Sequence, residues 1–305
     1  MNLVLVGYYW YRNFGDELLL LWLIHYLSKK YTIQKLSIVS PDSIWLNTWL
    51  QRHQSDYNFY KTINQIHVIP SVPNNDKEVD LLVIGGWEVL TDARAIPHNG
   101  WNYLLRYWNY VWKKKLVFAW WVGTIKRPWT AFLYQKLLSS ANSVIVREQY
   151  SYEIVKNFTN KGVLHRDFAY DALEWIDLQS LTSPLSWEYA LLNCNTHIYT
   201  SESIQKISQW LKVQEWLWRT IYFIAGTAWE DDSDVVVYRS LLEKFPQINH
   251  LDRMQYSVRE LAWIFAWAKH GLAARLHVVL MLDRAWIEYE PLVYQEKVAR
   301  LIDKT

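Results

Sequence analysis

Cysteine is nearly absent: Cys194 is the single one in 305 residues. That excludes an intramolecular disulfide and a cysteine-cluster metal site, and it suits a reducing cytoplasm. An excess of charge is lacking as well. Lysine and arginine number 32 against 30 acidic residues, a net charge of +2, which gives no broad basic face for nucleic acid. Long apolar runs are missing too. Residues 2–6 form a short, mostly apolar run, but no basic stretch precedes it and Gly7 closes it too early for a signal peptide. The richest run, residues 18–27, is interrupted by His25 and falls well short of the ~20 residues that span a bilayer. A soluble, cytoplasmic protein is expected, with peripheral contact at the inner face of the membrane left open.

Glycine is scarce. The chain has nine beside 20 tryptophans, whereas ordinary usage of about 7% would give roughly 21 glycines at this length. Several tryptophans stand where a β/α protein wants glycine. Trp10 falls in the first loop and Trp87 follows Gly85 and Gly86. Trp120 or Trp121 ends a strand before Val122 and Gly123, Trp229 lies in a loop, and Trp286 precedes the last strand. A large ring takes positive φ only at a cost and keeps a ligand away from the backbone, and glycine does neither. The expectation is that many of these, including Trp10, Trp87 and Trp286, are glycine in the native protein, from UGA codons read as glycine. Trp45, Trp49 and Trp187 carry no such argument. A real Trp87 would fill the floor of a cleft and compromise activity.

What is present is a core. Half the residues (51%) are hydrophobic and 20% are charged, which excludes disorder, and the length fits one large domain or two of about 150 residues. Short apolar runs alternate with longer amphipathic ones throughout. Residues 2–7, 32–40, 65–70, 79–86, 115–120 and 143–148 read as strands; 16–30, 102–113, 129–141 and 149–158 read as helices. A polar stretch with a proline, residues 175–186, interrupts the rhythm, which restarts with strands at 189–195 and 219–226. Helices are expected over 201–216, from the acidic run 230–234 to 244, and over 257–268. The pattern predicts an α/β protein of two Rossmann-like domains, residues 1–178 and 179–305, facing each other across a cleft. Ligands of such sheets bind beyond the carboxyl ends of the strands.

Four segments could carry chemistry. Residues 7–17 (GYYWYRNFGDE) form a strand-to-helix loop in which Asn13, Asp16, Glu17 and backbone N–H groups could hold a sugar or an anion; an ordinary acidic helix start explains them equally well. Gly85 and Gly86 end a buried strand and admit close approach to the backbone, yet they form neither a dinucleotide nor a P-loop motif, and a tight turn also accounts for them. Arg147 follows an apolar strand, where the alternative is a pair with Glu148 or Glu153. Arg275 and His277, beside an apolar helix, combine an anion receptor with a titratable acid/base, the alternative being a structural histidine. Tyr294 and Lys297 follow, on what could be a solvated helix face.

In order and spacing these segments resemble one family. NFGDE at residue 13, DLLVIGG at 80, VRE-x-x-S at 146, A-x-DAL at 169, RLH at 275 and Y-x-x-KV at 294 look like the polysaccharide pyruvyl transferases, over residues 2 to about 300. The resemblance implies a glycosyltransferase-B-like pair of domains, an acceptor side in the first and a phosphoenolpyruvate side in the second. It implies transfer of the enolpyruvyl unit of phosphoenolpyruvate onto a sugar, free or lipid-linked, of a cell-surface polymer as a cyclic ketal. Arg147, Arg275 and Lys297 would then bind the co-substrate and His277 would be the catalytic acid/base. Asn13, Asp16, Glu17, Gly85 and Gly86 would line the acceptor. No metal or further cofactor is required. Family members continue further past the last motif, so the carboxyl end is expected to be short or to lack a closing segment. The alternatives are a nucleotide-sugar glycosyltransferase of the same architecture, with Arg275 and Lys297 on a diphosphate, and an inactive family member serving as an assembly partner. An arginine reserved for a ligand need not support the core, so Arg275→Ala is expected to leave folding intact.

Overall fold

A computed structural model of the chain describes residues 1–9, 12–53, 62–73, 78–85, 115–118 (backbone), 122–123, 125–168, 170–171, 185, 188–227 and 234–292. The chain divides into two units, one of residues 1–10 and 19–168, the other of residues 11–18 and 169–305. The polar stretch 175–186, in which the sequence puts the domain junction, lies outside the described residues apart from Leu185.

The first unit is built on a seven-stranded parallel sheet in the order β3-β2-β1-β4-β5-β6-β7. Its strands are β1 (Asn2–Val6), β2 (Lys35–Val39), β3 (Gln65–Ile69), β4 (Leu81–Ile84), β5 (Lys115–Phe118), β6 (Ser143–Val146) and β7 (Gly162–Leu164). Four of its helices are described: α1 (Phe14–Lys30), α2 (Ser43–His53), α3 (Pro128–Ser140) and α4 (Gln149–Lys156). β1 and β4 are buried nearly throughout, as strands with helices on both faces must be. Val4, Val6, Ile84, Leu137, Val144 and Val155 share one core cluster. α1 carries Asp16 and Glu17 in its first turn and Lys29 and Lys30 in its last, charges that oppose the helix dipole at both ends. Trp22 on α1 is fully packed, stacked on Phe168 at 3.8 Å and on Tyr26 at 4.8 Å.

The second unit repeats the plan on five parallel strands in the order β10-β9-β8-β11-β12. They are β8 (Tyr189–Asn193), β9 (Thr220–Ile224), β10 (Asn249–Leu251), β11 (His270–Ala273) and β12 (Tyr289–Pro291), with helices α5 (Ser201–Trp216), α6 (Asp234–Leu242), α7 (Val258–Trp267) and α8 (Leu276–Arg284). The S-V-R-E sequence at 257 folds into a capping box: the Glu260 N–H donates to Ser257 Oγ (3.2 Å) and the Ser257 N–H donates to Glu260 Oε2 (2.7 Å). Both sheets therefore run outward in both directions from their first strand. In such sheets the strand order reverses between the first and fourth strands, and the crevice at the carboxyl ends there is the usual ligand position. Among the described residues no helix is long and apolar enough to cross a membrane.

Candidate active site

In the second unit the reversal lies between β8 and β11, which end at Asn193 and Ala273. Asn193 is fully buried and ties three loops together. Its Oδ1 accepts from the backbone N–H groups of Ala274 (3.3 Å) and Arg275 (2.8 Å), and its Nδ2 donates to Ile224 O (2.8 Å) and Asp234 Oδ2 (3.2 Å). Asp234, the first residue of α6, is also fully buried. Its carboxylate accepts from the Gly226 N–H at 2.8 Å and from Arg275 through Nε (3.1 and 3.3 Å) and Nη2 (2.6 Å). Arg275 stands at the N-cap of α8 with 17% of its side chain exposed. Cys194 follows Asn193, and burial, with the Asp234 charge second, pushes its thiol up to about 12. It is a small apolar filler rather than a nucleophile.

His277, in the first turn of α8, is buried. Gly15 lies directly against its imidazole, so close that a Cβ there would collide with the ring. Only glycine permits that approach. The surrounding segment is anchored on all sides. The Phe14 N–H donates to Gly226 O at 2.9 Å, Asn13 forms an antiparallel bridge with Thr227, and Asn13 Oδ1 accepts from the Gly15 N–H at 3.0 Å. Glu17 accepts from Arg253 Nη1 (2.7 Å) and Nη2 (3.2 Å), a pair in which each side chain is only 2% exposed. Arg253 Nη2 also donates to Arg12 O, and its guanidinium lies over the Phe14 ring, 5.5 Å from the centroid. Asp16 is buried in the same turn. Two buried polar atoms nearby in the chain, Thr227 Oγ1 and Asn195 Nδ2, have no hydrogen-bond partner among the described residues.

The structure thus gathers Asn13, Glu17, Arg275 and His277 into the second unit. Arg147 and Gly85 belong to the first. Arg147 is buried and paired with Asp167 at 2.9 Å, so neither Glu148 nor Glu153 is that partner. Ser151 of the VRE-x-x-S segment accepts from the Val122 N–H (3.0 Å) and donates to Glu148 Oε1 (3.1 Å), which gives that spacing a structural reason. Gly85 donates its N–H to Val6 O at 2.9 Å, and its own carbonyl leaves no room for a Cβ on Gly7, at 2.5 Å. Gly86, Trp10, Trp87, Tyr294 and Lys297 lie outside the described residues. One expectation is corrected: Arg275 does support the core, because its partner is a carboxylate with no exposure at all.

Asp234 and Arg253 are the residues that sequence reasoning missed. The first closes the acidic run 230–234 with nothing to distinguish it from its neighbours. Asn193 did carry a signal, as a polar residue ending an otherwise apolar strand.

The chain matches the polysaccharide pyruvyl transferase family over residues 13–281. It belongs to that family. No curated protein matches it. As a polysaccharide pyruvyl transferase family member it is similar in fold to the UDP-GlcNAc 2-epimerase from Methanocaldococcus jannaschii, with a TM-score of 0.59 and 12% identity over 99% of this chain and 92% of that one. It is similar also to the UDP-GlcNAc 2-epimerase from Neisseria meningitidis bound to UDP-GlcNAc, with a TM-score of 0.56 and 10% identity over 91% of this chain and 79% of that one. The fold is α/β and glycosyltransferase-B-like, as the alternation of strands and helices implies, and the family is a transferase family.

Proposed function

We propose that this family member moves the enolpyruvyl unit of phosphoenolpyruvate onto a sugar of a cell-surface polysaccharide as a ketal. The observation that carries the reading is the placement of His277 and Arg275 at the carboxyl edge of the second sheet, against the Asn13–Gly15 turn, in a chain of this family. Phosphoenolpyruvate presents a phosphate and a carboxylate, which planar guanidinium groups bind in fork geometry. Arg275, oriented by Asp234, is such a receptor, with Lys297 as a further cation, and Arg147, held by Asp167, is a second guanidinium, in the first unit.

His277 gives a proton to the vinyl carbon, which becomes a methyl group. Two hydroxyls of one sugar form C–O bonds to the adjacent carbon as its C–O bond to phosphorus oxygen breaks. Of the two hydroxyl protons, one returns to His277 and the other leaves with inorganic phosphate, so the step needs no redox partner. Asn13 and Asp16 line the hydroxyls, and Glu17 acts through Arg253 by holding the turn in place. Thr227 Oγ1 supplies a further polar contact. The acceptor is a hexose or N-acetylhexosamine, free or lipid-linked.

The test is incubation with phosphoenolpyruvate and a panel of glycan acceptors. Phosphate release that requires the acceptor, with the acceptor gaining a pyruvate ketal by mass, is expected. The second reading, a nucleotide-sugar transferase, is favoured by the UDP-GlcNAc bound in the Neisseria neighbour. Glycosyl transfer from UDP-sugars, with phosphoenolpyruvate unused, would overturn the first.

A further inference from the structure

Two tryptophans hold the same backbone state at the same point of two helices. Past the end of α5, Trp218 has φ 58°, its N–H donates to Glu215 O (2.9 Å), and the next N–H, of Arg219, donates to Gln214 O (3.0 Å). Past the end of α8, Trp286 has φ 59°, its N–H donates to Asp283 O (3.0 Å), and the N–H of Ile287 donates to Leu282 O (3.0 Å). These bond pairs define the Schellman ending, in which the residue after the cap is left-handed and is usually glycine. For any residue with a Cβ that state crowds the following carbonyl, and for a bulky one it is a true outlier.

Nothing in the packing compensates. Trp218 is 91% and Trp286 89% exposed, so the indoles bury almost nothing in return. Among the described residues three non-glycines have positive φ, and these two tryptophans stand beside Arg12. Other tryptophans of the same chain behave in the opposite way. Trp22 is stacked on Phe168, Trp49 packs on His53 at 4.2 Å, and Trp210 Nε1 donates to His270 Nδ1 at 3.0 Å, all three being buried. These five tryptophans thus fall into two groups, three required by packing and two placed where the backbone requires glycine. The surplus of tryptophan and shortage of glycine in the whole chain run in the same direction.

We infer that residues 218 and 286 are glycine in the protein as its own cell makes it, from UGA codons read there as glycine, whereas Trp22, Trp49 and Trp210 are tryptophan from UGG. This does not depend on the proposed activity. The deciding experiment is tandem mass spectrometry of the protein purified from its source cells. Trypsin releases residues 213–219 and 285–297, which carry the two positions. Glycine at 218 and 286 with tryptophan at 22, 49 and 210 is the expected result. Tryptophan at 218 or 286, or glycine at any of the three buried positions, overturns the inference. A second measurement uses the chain made recombinantly with tryptophan at both positions. Trp218→Gly and Trp286→Gly should each raise the folded-to-unfolded ratio roughly 5–30-fold, the worth of relieving one left-handed side chain. An unchanged or lower ratio for both overturns the backbone argument on which the inference stands.

Discussion

Arg275 meets Asp234 along one edge of its guanidinium, with Nη2 at 2.6 Å and Nε at 3.1 Å from the same carboxylate oxygen. Asp234 is wholly buried, so the pair sets the direction of the arginine and at the same time depends on it. A substitution at either end therefore acts on stability. Arg275→Ala leaves a buried carboxylate without its cation and should cost about 3–5 kcal/mol. Urea unfolding of Arg275→Ala and of the Arg275→Ala/Asp234→Ala pair measures this. The double variant should recover part of the loss, and equal stability of the single variant and the unaltered chain would remove Arg275 from the core.

Gly15→Ala tests the contact with His277. The added methyl has no room beside the imidazole, so the ring must shift. A displacement near 1 Å at a catalytic group can cost about 10²-fold in rate. Turnover of phosphoenolpyruvate should fall by that order with the fold retained by circular dichroism; undiminished turnover would separate His277 from the chemistry.

His277→Gln keeps hydrogen bonding and approximate size and removes the titrating proton. Turnover should fall by about 10²–10⁴-fold while phosphoenolpyruvate affinity, read by calorimetry, changes little. Near-normal turnover would return His277 to a structural role.

Thr227→Val separates function from stability. The buried Oγ1 has no hydrogen-bond partner among the described residues, and an unsatisfied buried polar group costs about 1–3 kcal/mol. The valine variant should be as stable as the unaltered chain or more so, with a raised KM for one substrate. A loss of stability would mean that the hydroxyl serves the fold.

Acid should weaken the fold through His25. Burial first, and the Lys29 charge second, lower its pKa from 6.5 to about 4. Between those values the unfolded chain binds a proton that the folded chain does not, so this contribution is complete above about pH 6.5 and is lost as pH falls towards 4. Burial lowers His250 and His270 in the same direction. Urea midpoints measured from pH 4 to 7 should rise with pH, and His25→Gln should flatten the rise without abolishing it.

How much of this was legible varies with the kind of residue. β4 and β8 could be read because an apolar run closed by glycine or asparagine is what a buried parallel strand requires. β7 and β10 could not, being three residues each with mostly exposed or half-buried side chains and hence no apolar run. α2 escaped notice because only Leu46, Trp49, Leu50 and His53 are buried along it, too sparse a stripe in a polar segment. Arg275 and His277 stood out as polar residues breaking an apolar stretch. Their supports did not, because an ion-pair partner is chosen by strand order: Asp234 is 41 positions from Arg275, and Arg253 is 236 from Glu17. No local window holds that information.

The grouping of residues 11–18 with residues 169–305 makes the second unit discontinuous in the gene. A fragment that starts after Phe168 would leave Arg253 facing no Glu17, Gly226 O without the Phe14 N–H, and the His277 ring without Gly15 beside it. The second half is thus not a portable module. Shuffling between relatives at the midpoint would pair each carboxyl half with a foreign turn, so productive chimeras should be those that exchange residues 11–18 together with it.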